Sequence, residues 1–276
     1  MNGLQVRRKC DKMKFACIAS GSSGNCIYVG TGLTHLLIDM GVSCKKIESG
    51  LTEFGIDPGE ISGILVTHEH IDHVQGIGTF TKKYRVPIYS TIETFAALKK
   101  IPSGKAIPVE LMMNIEGDAS FSIGDIGVEV TEISHDAAHP VCYRFTDGTR
   151  TIAMATDLGL YDEKIIKHMS GSDVIYIESN YDPEMLLVGP YPYYLKQRID
   201  GQRGHLSNEV SAELVSKVLH PGLKKIVLAH LSRENNFPEI AFQTHKNSLD
   251  ENWNFGAAKP EIIVARRDVP SVNFEI

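Results

Sequence analysis

The sequence predicts a mixed α/β (α+β) fold in which two β-sheets pack face to face with helices outside them, a four-layer αββα sandwich. From Lys14 onward, short apolar runs alternate with Gly-, Ser- and Asp-rich turns, a pattern typical of strands. Helix-like segments flank these strands in both halves of the chain, which favours sheets that are each covered by helices. No repeat, low-complexity tract or linker divides the chain, so residues 13–276 are predicted to form a single domain. Residues 1–12 match none of this patterning and are predicted to be a disordered extension.

The order of the elements supports this architecture. The first third contains the strand-like runs FACIAS, NCIYVG, HLLIDMG and ISGILV, with the helix-like VSCKKIESGLTEFG before the last of them. The middle third contains PIYST, the helix-like IETFAALKK and two paired runs, whose Gly124-Asp125 and Asp147-Gly148 steps indicate hairpin turns. The last third contains helices in NEVSAELVSKVL and PEIAFQTHKNSLDEN and strands in VIYIESN, KKIVLAH and EIIVAR, with EIIVAR as the terminal strand.

Composition excludes several classes of protein. The 276 residues, 42% of them hydrophobic, contain no apolar stretch long enough for a membrane span or a signal peptide, which predicts a cytoplasmic protein with no membrane partner. Five cysteines without a CxxC pair indicate neither a disulfide framework nor a thiolate zinc site. The net charge of -6 provides no global attraction to nucleic acid, so any such contact must be local.

The strongest chemical signal is the run THEHIDH at residues 67–73, directly after the apolar run ISGILV. It contains His68, His70, Asp72 and His73. Imidazole and carboxylate together bind Zn, Mn or Fe, whereas such a run is a poor choice for a packed core. A tight turn at a strand end would direct several of these side chains into one cavity.

Three more candidate ligands stand where other apolar runs end. His135 follows VEVTEIS, Asp157 follows TIAMAT and His230 follows KKIVLA. An isolated histidine at a strand end is commonly structural, but three such ends together with the first motif predict a two-metal site. Because no cysteine stands in these motifs, the nitrogen and oxygen ligands leave the choice between Mn, Zn and Fe open.

The motifs LLIDMG, THEHIDH, ISHD, ATDLG and LAHLS occur in the order of the five signature motifs of the metallo-β-lactamase superfamily, which the sequence resembles over nearly its whole length from Met13. The resemblance implies a metallo-β-lactamase sandwich with two divalent metal ions. One ion would be held by His68, His70 and His135, the other by Asp72, His73 and His230, and Asp157 would bridge them. Asp39 would orient the ligands from outside the metal shell, although it can also simply cap a strand-to-helix turn.

Such a site hydrolyses its substrate. Two cations lower the pKa of a bridging water and provide a hydroxide that attacks an electrophile, with Asp72 and Asp157 acting through the metals. The general acid must come from elsewhere. His205, just before NEVSAELVSKVL, is the candidate for protonating the leaving group or contacting a phosphate, and a loop histidine without a role is the alternative.

Three stretches favour a substrate that carries phosphate. The loop at residues 20–25 offers hydroxyls and amides as a phosphate cradle, or is a plain hairpin. The stretch at residues 191–198 interleaves aromatic and cationic side chains, as surfaces that stack bases do, or is an exposed helix start. Residues 204–208 precede and begin a helix, a position that favours anions. The candidate substrate contacts in these stretches are Ser22, Ser23, Asn25, Tyr194, Lys196, Arg198, His205, Ser207 and Asn208.

The segments GSSGN, SHDAAHPV, YPYYLKQRI and RGHLSN make the sequence similar to the YycJ/WalJ group of bacterial metallo-β-lactamase-fold proteins. This resemblance implies a 5′-to-3′ exonuclease that acts on DNA ends, with a functional link to two-component signalling. The alternatives are a glyoxalase-type thioesterase or lactonase, a small-molecule phosphodiesterase, and a regulatory binding module that keeps its metals for structure. The sequence does not indicate the oligomeric state.

Overall fold

A computed structural model describes residues 12–276, which contain fourteen strands and ten α-helices. The disordered extension predicted for residues 1–12 lies outside the described residues, apart from Lys12. The strands are β1 (Lys14–Ala19), β2 (Cys26–Gly30), β3 (His35–Ile38), β4 (Gly63–Leu65), β5 (Ile88–Ser90), β6 (Met112–Asn114), β7 (Ser120–Ile123), β8 (Ile126–Glu132), β9 (Val141–Thr146), β10 (Thr151–Ala155), β11 (Val174–Glu178), β12 (Lys225–Ala229), β13 (Glu261–Val264) and β14 (Ser271–Glu275).

Five of the ten described helices begin at a side chain that caps their free N–H groups. Ser43, Thr91, Asp162, Asp182 and Ser207 each accept a hydrogen bond from the first turn of the helix that follows. The helices are α1 (Cys44–Glu53), α2 (Ile71–Val74), α3 (Ile77–Tyr84), α4 (Ile92–Leu98), α5 (Pro102–Lys105), α6 (Glu163–Met169), α7 (Pro183–Val188), α8 (Tyr193–Ile199), α9 (Asn208–Lys217) and α10 (Pro238–Asn252). Single 3₁₀ turns span Pro58–Glu60 and Val109–Leu111.

The strands form two sheets of seven. The spatial order is β14-β1-β2-β3-β4-β5-β6 in the first sheet and β13-β12-β11-β10-β9-β8-β7 in the second. Strands β3 to β6 are parallel to one another, as are β10 to β13, whereas the remaining pairs are antiparallel. The carboxyl ends of the parallel strands therefore lie together at one edge of each sheet.

Three buried clusters account for the four layers. Between the sheets, residues such as Phe15 and Leu36 of the first sheet belong to the same cluster as Phe145 and Tyr176 of the second. A second cluster joins the other face of the first sheet to the helices α1, α3 and α4, and a third joins the second sheet to α6, α9 and α10. Burial of apolar surface on both faces of each sheet is what holds the layers together. The predicted αββα fold is confirmed.

The end of the chain departs from the sequence prediction. EIIVAR was expected to be the terminal strand, but β13 is followed by β14, which pairs with β1 in antiparallel register through Phe15 and Phe274. The rings of these two residues stack with centroids 5.3 Å apart. The hairpin turns are as predicted: β7 pairs with β8 around Gly124, and β9 pairs with β10 around Gly148, both glycines having positive φ.

Across residues 12–276, the helices are all too short or too polar to traverse a bilayer.

The buried His245 gives the fold a pH-dependent stability. Its Nδ1 donates to the Ala241 carbonyl oxygen at 3.0 Å, and the Ser211 hydroxyl donates to its Nε2 at 3.1 Å, so the ring is held neutral. Burial lowers the pKa of His245 from 6.5 to about 4. Between these values the unfolded chain binds the proton more readily, so stability falls as the pH falls through this window.

We expect His245→Gln to remove this dependence. The difference in unfolding free energy between wild type and variant should shrink by about 2 kcal/mol from about pH 7.5 to about pH 5, because only the wild type loses stability at this position. Urea unfolding of the metal-free proteins at both pH values measures the difference, with the exposed Lys246→Gln as control. A difference that stays constant would contradict the assignment.

Candidate metal centre

The candidate site lies where the carboxyl ends of the parallel strands meet. Asp39 follows β3, residues 67–73 follow β4, Asp157 follows β10 and His230 follows β12. Asp39, Asp157 and His230 have φ angles of 58°, 58° and 54°, in the left-handed region that residues other than glycine rarely adopt. Strained backbone of this kind is concentrated at functional sites, where surrounding contacts hold it in place.

The first group of candidate ligands consists of three histidines. His68, His70 and His135 each bring one ring nitrogen within 4.8 Å of the others. The ring centroids of His68 and His70 are 4.6 Å apart, and each lies 5.1 Å from that of His135. This spacing leaves room between the rings for one ion that all three nitrogens can reach.

The second group is Asp72, His73 and His230. The Asp72 Oδ2 atom lies 3.6 Å from His73 Nε2 and 3.7 Å from His230 Nε2. Asp157 stands between the two groups, with Oδ2 3.2 Å from His73 Nε2 and Oδ1 3.8 Å from His135 Nε2. All seven ligands proposed from the sequence are thus brought together around one point.

The donor atoms of this cluster fit divalent cations. His68 Nε2, His230 Nε2 and Asp157 Oδ2 are buried and have no hydrogen-bond partner among the described residues. A buried polar atom without a partner is costly, and a bound cation would supply one for each of these atoms. The set of imidazoles and carboxylates suits Zn, Mn or Fe.

Asp39 holds one of these histidines in place. Its Oδ2 accepts a hydrogen bond from His73 Nδ1 at 2.7 Å and from the Thr67 hydroxyl at 2.9 Å. Its Oδ1 accepts from the Thr67 backbone N–H at 2.9 Å. Asp39 therefore fixes both the His73 ring and the start of the ligand-bearing loop, leaving the His73 Nε2 atom to face Asp72 and Asp157.

Glu178, at the end of β11, belongs to the site and was not assigned from the sequence. It is fully buried and accepts hydrogen bonds from His230 Nδ1 at 2.7 Å and from His205 Nδ1 at 2.8 Å. It also accepts from the backbone N–H groups of Leu158 and Leu206. The available signal was its position, since it ends an apolar strand just as Asp157 and His230 follow one.

The electrostatics of the cluster follow from these contacts. Burial raises the pKa of Glu178, but the His205 and His230 rings outweigh it and lower that pKa to about 2. Burial lowers the pKa of His230, but the Asp157, Asp72 and Glu178 carboxylates raise it to about 10. The interior of the site thus carries several carboxylates that require positive charge close by.

His205 connects the cluster to an open cavity of about 170 Å³. The ring lies 5.3 Å from that of His135 and 5.4 Å from that of His230, centroid to centroid. Ser22 and Arg198, two predicted substrate contacts, line the same cavity. Arg198 Nε donates to Asp136 Oδ2 at 2.5 Å, which holds the guanidinium at the cavity wall. We refer to this space as the central cavity.

The other predicted substrate contacts are distributed differently. Asn25 is buried and its side chain lies 3.1 Å from His73 Nε2, while the Ser23 hydroxyl donates to Asp268. Lys196 Nζ donates to the Leu187 carbonyl oxygen, and Tyr194 is exposed on α8. Both residues at the start of α9 are engaged internally: Ser207 as its N-cap, Asn208 with Ser179 and Asn236.

The fold is shared with proteins of known structure. The metallo-β-lactamase fold protein YhfI from Bacillus subtilis superimposes with a TM-score of 0.70, at 16% sequence identity, over 96% of this chain and 100% of that protein. The sequence pattern of the beta-lactamase superfamily domain matches residues 35–231, the part of the chain that contains the whole ligand cluster.

Sequence relatives place the chain more narrowly. Exodeoxyribonuclease YycJ of Bacillus anthracis is 38% identical over 239 residues, covering 87% of this chain and 90% of that protein. Exodeoxyribonuclease WalJ of Streptococcus pneumoniae is 39% identical over 236 residues, covering 86% of this chain and 88% of that protein. The chain therefore belongs to the metallo-β-lactamase superfamily and, within it, to the YycJ/WalJ group. The predicted class, a metal-dependent hydrolase of this superfamily, is confirmed.

We expect Glu178→Gln to weaken metal binding by about 10- to 100-fold, because an amide holds the His230 ring less firmly than the carboxylate does. Calorimetric titration of the metal-free variant and wild type with Zn²⁺ or Mn²⁺ measures the affinity without relying on activity. Glu213→Gln, an exposed glutamate on α9, is the matched control. Equal affinities for Glu178→Gln and wild type would show that the contact does not orient the ligand.

Proposed function

We propose that this protein is a metal-dependent exonuclease that hydrolyses phosphodiester bonds at DNA ends in the 5′-to-3′ direction. The observation that carries the proposal is the buried cluster of imidazoles and carboxylates, with ligand atoms directed at one another and a cavity opening beside it. Its relatives YycJ and WalJ, which it matches over most of their length, are both named exodeoxyribonucleases. This supports DNA as the substrate.

Two divalent ions would occupy the cluster, drawn from Mn, Zn and Fe. His68, His70 and His135 would hold one, Asp72, His73 and His230 the other, and Asp157 would contact both. When bound, such ions supply a water of lowered pKa and positive charge that stabilises the phosphate oxygens. The protein has to hold these ions in place, orient the phosphodiester and provide a proton for the leaving group.

His205 is the proposed proton donor. Its Nδ1 is engaged by Glu178 at 2.8 Å, so only Nε2 is left to serve a substrate in the central cavity. A donor held within hydrogen-bond reach of the leaving oxygen contributes about 10²–10⁴-fold to a rate. Glu178 is a positioning residue in this scheme, since it touches His205 and the metal-ligand histidine His230 but not the substrate.

Arg198 and Ser22 are the proposed contacts for the substrate phosphate, because both line the central cavity together with His205. The Arg198 guanidinium has donors beyond the one bonded to Asp136, and a planar fork of donors matches two phosphate oxygens. We further propose that residues 13–276 act as one catalytic domain in the cytoplasm. The link to two-component signalling stays a prediction.

The first experiment is degradation of 5′-phosphorylated, end-labelled DNA by chelated protein that has been reloaded separately with Mn²⁺, Zn²⁺ or Fe²⁺. We expect metal-dependent release of nucleotides from the 5′ end. The same preparations are offered a coenzyme A or glutathione thioester and a small phosphodiester. Intact DNA with every metal, together with turnover of either alternative, would replace the exonuclease with that activity.

We expect Asp157→Ala and His68→Ala to abolish turnover and to lower the bound metal content, because each removes a ligand of the cluster. Metal analysis and nuclease assay on the same samples check both effects. Asp250→Ala, an exposed carboxylate on α10, should leave both unchanged. Near-normal activity with unchanged metal content in either ligand variant would refute the ligand assignment.

We expect His205→Ala to retain its metals and to lose about 10²–10⁴-fold in kcat, because the proton for the leaving group must then come from water. His220→Ala is the control, because His220 bonds the Ser172 carbonyl oxygen near the amino ends of β11 and β12, whereas the cluster lies at their carboxyl ends. A kcat equal to that of wild type would remove His205 from this role.

A further inference from the structure

A second cavity adjoins the central cavity on the side of α7 and α8. It has a volume of about 540 Å³, within the range of pockets that take a small organic ligand. Tyr181, Leu186, Tyr191, Tyr193 and Lys196 line it, and we call it the tyrosine cavity. Tyr193 lines this cavity and is nevertheless 74% exposed to solvent. Exposed aromatic surface in such a position marks a binding site more often than a structural one.

A third cavity also adjoins the central cavity, through the shared lining residue Ser232. It has a volume of about 400 Å³ and lies between the loop after β12 and the segment after β13, and we call it the arginine cleft. Arg266, Arg267, Ser20 and Asn236 line it, with Glu239 as its carboxylate. Arg267 Nη2 donates to the Leu231 carbonyl oxygen at 3.1 Å, which fixes the guanidinium beside the site.

The three cavities are neighbours. Tyr191 lines both the tyrosine cavity and the central cavity, and Ser232 lines both the central cavity and the arginine cleft. The Ser20 hydroxyl at the end of the arginine cleft accepts a hydrogen bond from the His230 backbone N–H at 2.9 Å. A linear molecule that extends from one outer cavity to the other by way of the central cavity passes His205, whose Nδ1 is bonded to Glu178 at the edge of the metal centre.

We infer that one strand of the DNA crosses the site along this path, with the base of the terminal nucleotide in the tyrosine cavity and the following phosphates in the arginine cleft. The inference rests on the proposed function and adds the path of the substrate strand. Aromatic rings stack on any base, and a guanidinium pairs with phosphate, so the two outer cavities suit the two parts of a nucleotide chain.

The positive charge of the arginine cleft favours DNA over a protein partner as the occupant of the path. The chain carries a net charge of -6, yet Arg266 and Arg267 are adjacent in sequence and line one cleft. Burial lowers the pKa of Arg267, and the positive charge of nearby Arg233 lowers it further, whereas Asp268 raises it. Like charges held together in an acidic protein favour a polyanion. An apolar protein segment would match the tyrosine cavity but would bring no negative charge to these arginines.

The test compares a 5′-phosphorylated dinucleotide with a single strand of about 12 nucleotides. Tyr193→Ala should raise KM for both substrates by about 5- to 30-fold, because both place a base in the tyrosine cavity, while Tyr193→Phe keeps the ring and should stay near wild type.

The double variant Arg266→Ala/Arg267→Ala should raise KM for the longer strand by about 10-fold and leave KM for the dinucleotide unchanged. Binding of the longer strand to this variant should also depend less on salt. The slope of log binding constant against log salt concentration should fall by about 0.7 for each phosphate that the variant no longer neutralises.

Lys217→Ala, an exposed cation at the far end of α9, is the control for a general loss of charge. Anisotropy measurements with phosphorothioate versions of both oligonucleotides and metal-loaded protein report binding independently of cleavage. If wild type cleaves no DNA but binds it with this pattern of variant effects, the nuclease proposal fails and the path stands. If the arginine variant weakens the dinucleotide as strongly as the longer strand, or Tyr193→Ala weakens neither, the path is overturned, and the tyrosine cavity is left for a protein partner.

Discussion

Two buried carboxylates, Asp39 and Glu178, set the orientation of the site histidines. Each accepts a hydrogen bond from the Nδ1 of one candidate ligand, His73 or His230, which turns the Nε2 of that ring toward Asp72. Each also accepts from a backbone N–H group, so the same carboxylate holds the ring and the chain that carries a candidate ligand. Burying a charge is costly unless it is bonded on several sides, and both carboxylates satisfy that condition.

The packing of the two sheets determines which side chains these carboxylates can reach. The parallel strands of both sheets end at the same edge of the sandwich, so loops that are far apart in sequence meet there. Asp39, Asp157 and His230 leave their strands in left-handed conformation, which turns each side chain into the site instead of along the strand. The contacts made by the carboxylates offset this strain, and hydrophobic burial between the sheets keeps the edge itself rigid.

The sequence predicted the four layers and the seven candidate ligands that the structure brings together, because both depend on local patterns, apolar runs and the residues that end them. Glu178 has the same position at a strand end, but its role depends on histidines 27 and 52 positions later, which a local pattern does not reveal. The same limit applies to Asn25 and Ser207. Their side chains could be recognised as hydrogen-bonding groups, whereas the direction of those bonds, toward His73 and Val210, is set by packing. Strand β14 is short, and its partner lies at the other end of the chain.

That pairing has a consequence for how the protein is made. β1 lies between β2, its neighbour in sequence, and β14, and the Ile276 backbone N–H donates to the Met13 carbonyl oxygen at 2.9 Å. β14 cannot add to the sheet until residues 271–275 have left the ribosome. A nascent chain therefore carries β1 with one open edge until β14 has been made, a state in which unpaired strand groups are available to other chains. Closing the long loop between β1 and β14 is the step that ends this exposure, and the first sheet is completed only after β14 has emerged.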